Sequence, residues 1–303
     1  MSQVAVSGII IRAQSGFYTV HTPSGDVTCQ MRGKLKENRR NSSLAAVGDK
    51  VVISVQLDGS GALEDILPRE KAFIRLAPTA RGDFQQVMLA NPDQVLLVFS
   101  CANPSPSLRM LDRFLVITEK QRIPAVVVAN KTDLVGLAAA QSTFSVYPSL
   151  GYRVIYTSAK DDTGVEELKQ ALIGKISALS GPSGVGKSSL LNRVQPSLGL
   201  KIGGLKAISN KGRHTTVVRE LIPLDEGGFV ADMPGLRTLS LWDTQPEELD
   251  GYFPELRGLV ENCQFNNCRH ISEPGCAVKS AVEAGRVHPE RYESYVRLRQ
   301  GDS

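Results

Sequence analysis

One eight-residue segment limits the possible folds of this chain more than any other feature. It is formed by Gly181, Pro182, Ser183, Gly184, Val185, Gly186, Lys187 and Ser188, and it matches the phosphate-loop pattern G-x-x-x-x-G-K-[ST] without a mismatch. Glycines allow the backbone to curl so that successive N–H groups point at phosphate oxygens, and the following helix N-terminus adds partial positive charge. We therefore expect a nucleotide in this loop, with Lys187 at the β- and γ-phosphates and Ser188 on Mg²⁺.

The residues on either side of the phosphate loop support this interpretation. Residues 176–180 predict a short buried strand, and residues 189–194 predict the start of a helix. A strand, a loop and a helix in this order are the context that the pattern requires. Ser189, the first residue of that helix, is included among the expected nucleotide contacts.

From about residue 69 onwards, apolar runs alternate with helical patterns. The predicted strands are 95–100, 125–129, 153–156, 176–180, 219–223 and 228–231, and the predicted helices include 108–121 and 165–172. This alternation is typical of a mostly parallel sheet with helices on both faces, which binds ligands at the carboxyl ends of its strands. All the motifs described here follow such strand ends, so we expect them to meet at one edge of the sheet.

Two further turns indicate which base the site accepts. They are Asn130-Lys131-Thr132-Asp133 and Thr157-Ser158-Ala159-Lys160. A carboxylate at Asp133 can accept hydrogen bonds from both N1–H and the 2-amino group of guanine. Adenine lacks that amino group and has an acceptor at N1, so the carboxylate would face it unpaired. Asn130 is expected to stabilise the pocket and Lys131 to lie along the base. Backbone near Ser158 and Ala159 is expected to donate to the guanine carbonyl. The ligand indicated is GTP.

The order of these segments along the chain is unusual. Ordinary guanine-nucleotide switches begin with the phosphate loop and end with the two guanine-binding turns. Here the guanine-binding turns come first, and an Asp-x-x-Gly turn, Asp232-Met233-Pro234-Gly235, comes after the phosphate loop. The same sheet forms if the original termini are joined and the chain is cut after Asp-x-x-Gly. Such circular permutation is tolerated where termini lie close together on the surface.

The segments that respond to the γ-phosphate follow the phosphate loop. Asp232 is expected to hold Mg²⁺ through water, and the Gly235 N–H is expected to sense the γ-phosphate. Residues 199–218 predict switch I, in which Thr215 or Thr216 supplies the second hydroxyl on the Mg²⁺ side. Between these two threonines the prediction favours Thr216.

One residue after the Asp-x-x-Gly turn predicts slow intrinsic hydrolysis. Many switches place a glutamine there to orient the attacking water, but this chain has Leu236, which cannot hydrogen-bond to water. We hypothesise that His214 helps to position the water instead. The alternative is that His214 only packs within its loop.

The first 68 residues alternate as strands do. The predicted strands are 4–12, 17–21, 27–32, 51–57 and 63–67. Five short strands with a long excursion between the third and the fourth are typical of an oligonucleotide/oligosaccharide-binding (OB) barrel. The excursion opens with a basic stripe, which consists of Arg32, Lys34, Lys36, Arg39 and Arg40. We expect this stripe to contact the phosphates of structured RNA. The alternative is a solvated loop without a partner.

Three of the five cysteines lie close together near the C-terminus. Cys263, Cys268, His270 and Cys276 have the spacing C-x₄-C-x-H-x₅-C, which suits a closed tetrahedral structural Zn²⁺ site.

Helices are predicted over 277–284 and 289–300. The predicted organisation is therefore multi-domain α/β: an RNA-binding OB barrel (1–68), a circularly permuted P-loop domain (69–240) and a zinc-binding helical module (241–303).

The charge and the apolar pattern of the chain indicate the compartment in which it acts. The net charge of the 303 residues is +4, and no apolar run approaches the length of a membrane span. The N-terminus lacks the pattern of a signal peptide. We expect a cytoplasmic monomer without membrane contact, in which thiols stay reduced and a disulfide is disfavoured.

With these motifs in this order, the chain resembles the circularly permuted, ribosome-small-subunit-dependent GTPases of the RsgA type. The resemblance extends from the barrel through the permuted core to the cysteine/histidine module. It implies a GTPase that binds the small (30S) ribosomal subunit and its rRNA late in assembly and is stimulated by it. Two alternatives stay open: an RNA-binding adaptor that uses GTP as a structural ligand, and a GTPase acting on tRNA or in membrane traffic. The lack of a lipid anchor or amphipathic helix weighs against membranes.

Overall fold

The first five strands close into a barrel, as the alternation of the N-terminal sequence predicts. The computed structural model describes residues 4–33, 35, 43–79, 82–200, 220–233 and 244–301. The barrel strands are β1 (Val4–Gln14), β2 (Phe17–Thr22), β3 (Gly25–Met31), β4 (Lys50–Val55) and β5 (Gly61–Ile66). They hydrogen-bond in the order β1-β2-β3-β5-β4, and β1 pairs with β4 to complete the barrel. Apolar side chains from all five strands fill its interior.

A two-stranded hairpin follows the barrel, and the sequence pattern does not predict it. Its strands are β6 (Ala72–Thr79) and β7 (Gly82–Ala90), which pair antiparallel. Pro78 lies near the end of β6, and a proline argues against a strand unless that strand has a free edge. A two-stranded ribbon consists only of edges, so the proline is tolerated. Phe73, Met88 and Leu89 from this hairpin are buried in the main hydrophobic core.

The central sheet has six strands among the described residues. They are β8 (Gln94–Ser100), β9 (Ala125–Asn130), β10 (Arg153–Thr157), β11 (Ile176–Ser180), β12 (Ile222–Pro223) and β13 (Phe229–Asp232). Their spatial order is β10-β9-β8-β11-β13-β12. All neighbours pair in parallel except β12, which pairs antiparallel with β13 at the edge. The predicted mostly parallel sheet is confirmed.

Helices cover both faces of this sheet. They are α1 (Leu108–Lys120), α2 (Leu137–Thr143), α3 (Val146–Ser149), α4 (Val165–Leu172) and α5 (Lys187–Val194). Side chains of β8 alternate between two cores, because successive residues of a strand point to opposite faces. Leu97 and Phe99 pack in the core that contains Leu111 of α1. Leu96 and Val98 pack in the core formed with α4 and α5.

The C-terminal residues form a small helical module with its own core. It contains α6 (Pro254–Arg257), α7 (Ala277–Glu283) and α8 (Pro289–Arg299), together with 3₁₀ helices over Pro246–Tyr252 and Val260–Asn262. Phe253 and Tyr295 pack edge to face, with ring centroids 5.5 Å apart. The same core includes Val116 of α1, which joins the module to the sheet domain. Within the described residues, no helix has both the length and the apolar character needed to cross a bilayer.

A buried polar network fixes α8 to α1. Arg291 is only 2% exposed. Its Nη1 donates to Asp112 Oδ1 at 2.7 Å, and its Nε donates to Glu255 Oε1 at 2.7 Å. The Asp112 carboxylate also accepts hydrogen bonds from the hydroxyls of Tyr147 and Ser294 at 3.0 and 2.5 Å. Buried charges are tolerated only when paired and hydrogen-bonded, so this network requires the two helices to stay in register.

The barrel contacts the far edge of the central sheet. The backbone N–H of Leu221 donates to the carbonyl of Ile11 at 2.7 Å. Arg12 and Glu220 form an isolated β-bridge there, and their side chains make an ion pair. The first barrel strand therefore continues the hydrogen bonding of the segment that leads into β12.

A second contact joins the barrel to the hairpin at Gly48. Its N–H donates to the carbonyl of Ile10 at 2.8 Å, and the neighbouring Val47 carbonyl accepts from Ala90 at 2.9 Å. Gly48 has a φ of +91°, and a Cβ there would lie 2.0 Å from the Ala90 carbonyl oxygen. Only glycine permits both this conformation and this approach.

Candidate active site and metal cluster

The phosphate loop depends on close backbone approach. Gly181 has a φ of +145°, and a Cβ there would lie 2.0 Å from the carbonyl oxygen of Val98 on β8. Gly186 has a φ of +99°, and a Cβ there would lie 2.4 Å from Nδ2 of Asn130. Val185, between them, is buried and packs in the core beneath the loop. The loop is therefore fixed to β8 below and to the end of β9 beside it.

The positively charged groups of the loop face its centre. The Nζ of Lys187 donates to the carbonyls of Gly181 and Pro182, both at 2.9 Å. Ser188 and Ser189 lie in the first turn of α5, which has no acidic residue there. The partial positive charge of the helix N-terminus is therefore not offset by a side chain. Ser183 and Gly184 are exposed at the tip of the loop.

The side chain of Asn130 joins the phosphate loop to the second guanine-binding turn. It is 1% exposed. Its Nδ2 donates to the Val185 carbonyl at 2.7 Å, and its Oδ1 accepts from the Thr157 hydroxyl at 3.1 Å. The register of the sheet pairs Thr157 of β10 with Asn130 of β9. The structure thus brings together three segments that lie far apart in the sequence.

Lys131 contacts two loops at once. Its backbone is left-handed, with a φ of +64°. Its Nζ donates to the Gly184 carbonyl at 2.7 Å and also to the carbonyl of Asn103, in the loop after β8. The aliphatic part of the side chain consequently extends from the guanine-binding turn to the phosphate loop.

Asp133 faces the turn after β10. Its Oδ1 accepts a hydrogen bond from the Ser158 hydroxyl at 2.9 Å, and the Lys160 Nζ lies 4.0 Å from its Oδ2. The Ser158 hydroxyl in turn accepts from the Lys160 N–H at 3.2 Å, and Ala159 lies between them. Burial, together with the negative charge of Asp133, raises the pKa of the nearby Cys101 thiol to about 11.

Asp232 reaches the same edge of the sheet from β13. The parallel register of β13 and β11 places Asp232 beside Leu179, two residues before the phosphate loop. The Ser180 hydroxyl donates to the Met233 carbonyl at 3.1 Å, which links the two strand ends. Four residues expected to act with Asp232 lie outside the described residues. They are His214, Thr215, Thr216 and Gly235.

These groups fit a nucleotide with Mg²⁺. Backbone N–H groups, the Lys187 ammonium and a helix N-terminus favour phosphate oxygens. The Ser188 hydroxyl and the Asp232 carboxylate are oxygen ligands of the kind that Mg²⁺ prefers. The glycines at 181 and 186 let the loop pack closely against β8 and Asn130, where a Cβ would clash.

The four predicted metal ligands converge in the C-terminal module. Their ligand atoms all lie within 4.8 Å of one another. The Sγ atoms of Cys263 and Cys276 lie 3.5 and 3.4 Å from Nδ1 of His270. Burial raises the pKa of the Cys268 thiol to about 12, so a positive ion is needed to favour its thiolate. Three thiols and one imidazole at this spacing fit a tetrahedral Zn²⁺ ion.

Asp250 supports this cluster, although the sequence motif does not include it. Its Oδ2 lies 3.2 Å from Nε2 of His270. A carboxylate on one ring nitrogen selects the tautomer that leaves the other nitrogen, Nδ1, as the metal ligand. Asp250 lies 20 residues before His270 and is one of many carboxylates in the module, so spacing alone does not identify it.

The fold and the site define a circularly permuted P-loop GTPase. The sequence matches the RsgA N-terminal domain over residues 7–63 and the RsgA GTPase over residues 66–242. This chain belongs to the RsgA GTPase family, so it is a GTP hydrolase that uses a nucleotide and Mg²⁺.

Similar proteins cover almost the whole chain. A small ribosomal subunit biogenesis GTPase RsgA of Gemmatimonas aurantiaca is 44% identical over 298 residues, which is 97% of each protein. The crystal structure of YjeQ from Thermotoga maritima superimposes with a TM-score of 0.80 at 36% identity and covers 99% of both chains. The crystal structure of YloQ, a circularly permuted GTPase, gives a TM-score of 0.76 at 35% identity over 99% of this chain and 95% of that one. The predicted family and the permuted fold are confirmed.

Proposed function

We propose that this protein hydrolyses GTP during late maturation of the small (30S) ribosomal subunit, which it binds and which stimulates it. The observation that carries the proposal is the convergence of the guanine-binding turns on the phosphate loop through Asn130 and Lys131. The GTPases of Gemmatimonas aurantiaca and Moorella thermoacetica that resemble this chain are named for small ribosomal subunit biogenesis.

The reaction is an in-line attack of water on the γ-phosphate. Lys187 and the loop N–H groups hold the β- and γ-phosphates and neutralise the charge that develops on them. The bound Mg²⁺ supplies Lewis-acid stabilisation of the same charge, and Ser188 and Asp232 are the residues that would hold it. Preorganised donors of this kind need no rearrangement at the moment of reaction, which is why positioning accounts for most of the catalysis.

We assign the remaining catalytic roles to residues that lie outside the described parts of the chain. Thr216, or its neighbour Thr215, supplies the second hydroxyl on the Mg²⁺ side, and the Gly235 N–H senses the γ-phosphate. His214 positions the attacking water once the subunit is bound. Subunit-stimulated hydrolysis by the His214→Ala variant decides that last role, since unchanged stimulation would remove it.

Guanine specificity comes from Asp133 in this proposal. The carboxylate accepts hydrogen bonds from N1–H and the 2-amino group, while Ser158 holds it in place. Lys131 lies along the base, and the backbone at Ser158 and Ala159 donates to the guanine carbonyl. The Lys160 ammonium adds a positive charge near the carboxylate.

The cysteine cluster holds one structural Zn²⁺. Cys263, Cys268, His270 and Cys276 supply all four ligands, so the ion has no open position for substrate. Asp250 orients the imidazole. The ion therefore stabilises the module and takes no part in hydrolysis.

The barrel contributes rRNA contacts through the basic stripe. Arg32, the first residue of that stripe, pairs with Glu64 on β5 at 2.7 Å. Lys34, Lys36, Arg39 and Arg40 lie outside the described residues. We assign the barrel to residues 1–68, the GTPase domain to 69–240 and the zinc module to 241–303, and we expect a monomer.

The test is phosphate release from GTP with and without purified small ribosomal subunits. We expect slow release alone and strong stimulation by subunits, with ATP inactive in both cases. Lys187→Ala should abolish the stimulated rate, because it removes the charge on the β- and γ-phosphates. A protein that binds subunits but never releases phosphate would instead be an RNA-binding adaptor with GTP as a structural ligand.

A further inference from the structure

A cleft between α1 and α8 lies outside the nucleotide site and the metal cluster. We call it the arginine cleft. Its volume is about 460 Å³, within the range of ligand pockets, and it is open to solvent on one side. It is lined by Ser107, Arg109, Met110 and Arg113 from the start of α1 and by Ser294, Arg297 and Leu298 from α8.

Positive charge exceeds negative charge in this cleft. Three guanidinium groups line it, and Glu293 is the one carboxylate that pairs with them among the described residues. Glu293 Oε1 lies 2.9 Å from Arg109 Nη2 and 3.0 Å from Arg297 Nη2, so two arginines share one acceptor. The third, Arg113, remains without a carboxylate partner in the described part of the chain.

Arg113 is the residue that most clearly needs a ligand. Its Nε is buried, and no hydrogen-bond partner for that atom exists among the described residues. Burial lowers the pKa of its guanidinium, which means that the charged form loses solvation there. Guanidinium groups nevertheless stay protonated in proteins. An anion in the cleft would therefore offset the free-energy cost of burying this positive charge.

Among the described residues, the carboxylate next to Arg113 in the sequence does not take the place of that anion. Asp112 lies directly before Arg113 on α1, but it is turned into the buried network described above. Its Oδ1 accepts from Arg291 and Tyr147, and its Oδ2 accepts from Ser294. Its charge is already compensated by Arg291, and it does not occupy the cleft.

We propose that the arginine cleft binds a phosphodiester group of an RNA strand. This inference rests on the proposed function, in which the partner is the RNA-rich small subunit. A forked guanidinium matches phosphate geometry better than a point charge does. Ser107 is exposed and its hydroxyl makes no helix-capping bond, so it can donate to the same group. Met110 and Leu298 provide apolar surface against which the sugar can lie.

The position of the cleft links it to the nucleotide site. Ser107 follows the loop in which the carbonyl of Asn103 accepts from Lys131 and Pro104 lies beside Gly184 of the phosphate loop. The Ser100 hydroxyl donates to the Pro104 carbonyl at 2.6 Å and closes that loop. A phosphate held at the start of α1 is therefore one short loop away from the phosphate loop.

Equilibrium binding tests this proposal at several salt concentrations. The protein is loaded with a non-hydrolysable GTP analogue, and two probes are used: purified small subunits and a single-stranded 12-nucleotide RNA. We expect Arg113→Gln to weaken binding of both probes about tenfold, because one charge-assisted hydrogen bond is lost. The slope of log affinity against log salt should become shallower by roughly one unit. Arg113→Lys should restore the slope but only part of the affinity.

Arg122→Gln is the matched control. Arg122 is exposed at the other end of α1, and its side chain makes no hydrogen bond or ion pair within the described residues, so the same charge is removed without touching the cleft. Equal affinities and slopes for Arg113→Gln and the parent protein would overturn the proposal. Inorganic pyrophosphate serves as a third probe: if Arg113→Gln loses pyrophosphate binding but not RNA binding, the site serves a free anion and the proposal is also overturned. If the parent protein binds the RNA but not the subunits, the proposed function fails. The RNA affinities of Arg113→Gln and the parent protein still test whether the cleft binds RNA.

Discussion

The carboxylate of Asp133 is positioned by its neighbours before any base arrives. The Ser158 hydroxyl occupies one lone pair of Oδ1, and Lys160 lies 4.0 Å from Oδ2. The side chain is 13% exposed, so water competes little for the remaining lone pairs. Two acceptor oxygens in a fixed plane are what the N1–H and 2-amino donors of guanine require.

Replacing this one oxygen should change the preferred base. In Asp133→Asn the amide NH₂ can donate to the C2 carbonyl of xanthine but cannot accept from the guanine 2-amino group. We expect GTP affinity to fall roughly 100-fold or more, with xanthosine triphosphate binding more tightly than GTP. Binding titrations with both nucleotides measure this. Asp162→Asn, which removes an exposed carboxylate two residues after Lys160, is the control and should leave GTP preferred. If Asp133→Asn also prefers GTP, the Asp133 carboxylate does not contact the base.

Some of the important single residues were predictable from the sequence, and others were not. Gly181 and Gly186 were predictable because a pattern of fixed spacing reflects a backbone requirement. Asp250 and Arg291 were not, since each acts through contacts made across 20 or more residues of chain. Arginine is usually exposed, so nothing in the sequence separates the buried Arg291 from the half-buried Arg297. Their environments are decided by how α8 packs on α1.

At the scale of elements, the packing of α8 on α1 depends on compensated charge. Arg291 is the cation that pairs with both Asp112 and Glu255, and its guanidinium also lies 4.6 Å from the centre of the Phe253 ring. Arg291→Met leaves two carboxylates buried without a cation, so we expect the free energy of unfolding to fall by about 3–5 kcal/mol. Arg297→Met removes a half-exposed ion pair with Glu293 on the same helix and should cost about 1 kcal/mol or less. Urea denaturation compares them; similar losses would mean that the buried network is not required for docking.

The zinc module gives a second prediction for an element. Cys268→Ser should reduce bound zinc from one ion per chain to none, because a serine hydroxyl does not replace a thiolate ligand. Hydrogen exchange should then increase across residues 244–301, while GTP affinity stays unchanged. Cys29→Ser changes a buried cysteine of the barrel instead and should leave zinc content intact. Full zinc occupancy in Cys268→Ser would show that the ligands are wrongly assigned.

The elements differ in how far their sequence predicts them. Strands β8 to β11 were predictable to within one residue, since buried parallel strands are continuous apolar runs with turn residues at their ends. The hairpin of β6 and β7 was not, because Pro78 and the polar residues of β7 conceal its alternation. Its burial comes from packing against the barrel and the sheet, which no local pattern contains.

For the whole molecule, the position of the barrel depends on Gly48. Gly48→Ala places a Cβ 2.0 Å from the Ala90 carbonyl oxygen and also strains a φ of +91°. We expect an unfolding cost of about 3 kcal/mol or more, with faster hydrogen exchange at the Ala90 N–H. Gly59→Ala also has a positive φ but no neighbour within 4 Å, so it should cost only about 1 kcal/mol. Equal costs for the two variants would indicate that the hairpin moves away freely.

The bond between the barrel and the sheet edge has a mechanical consequence. Arg12 and Glu220 are 208 residues apart, yet they hold the first strand of one domain beside the last strands of another. On the other flank, Asn192 of α5 binds both the N–H and the carbonyl of Leu200, at 2.8 and 2.7 Å. The stretch from 200 to 220 is thus anchored at one end to the helix that follows the phosphate loop and at the other to the barrel. A shift of the barrel relative to α5 would therefore change the distance between the two ends of this stretch.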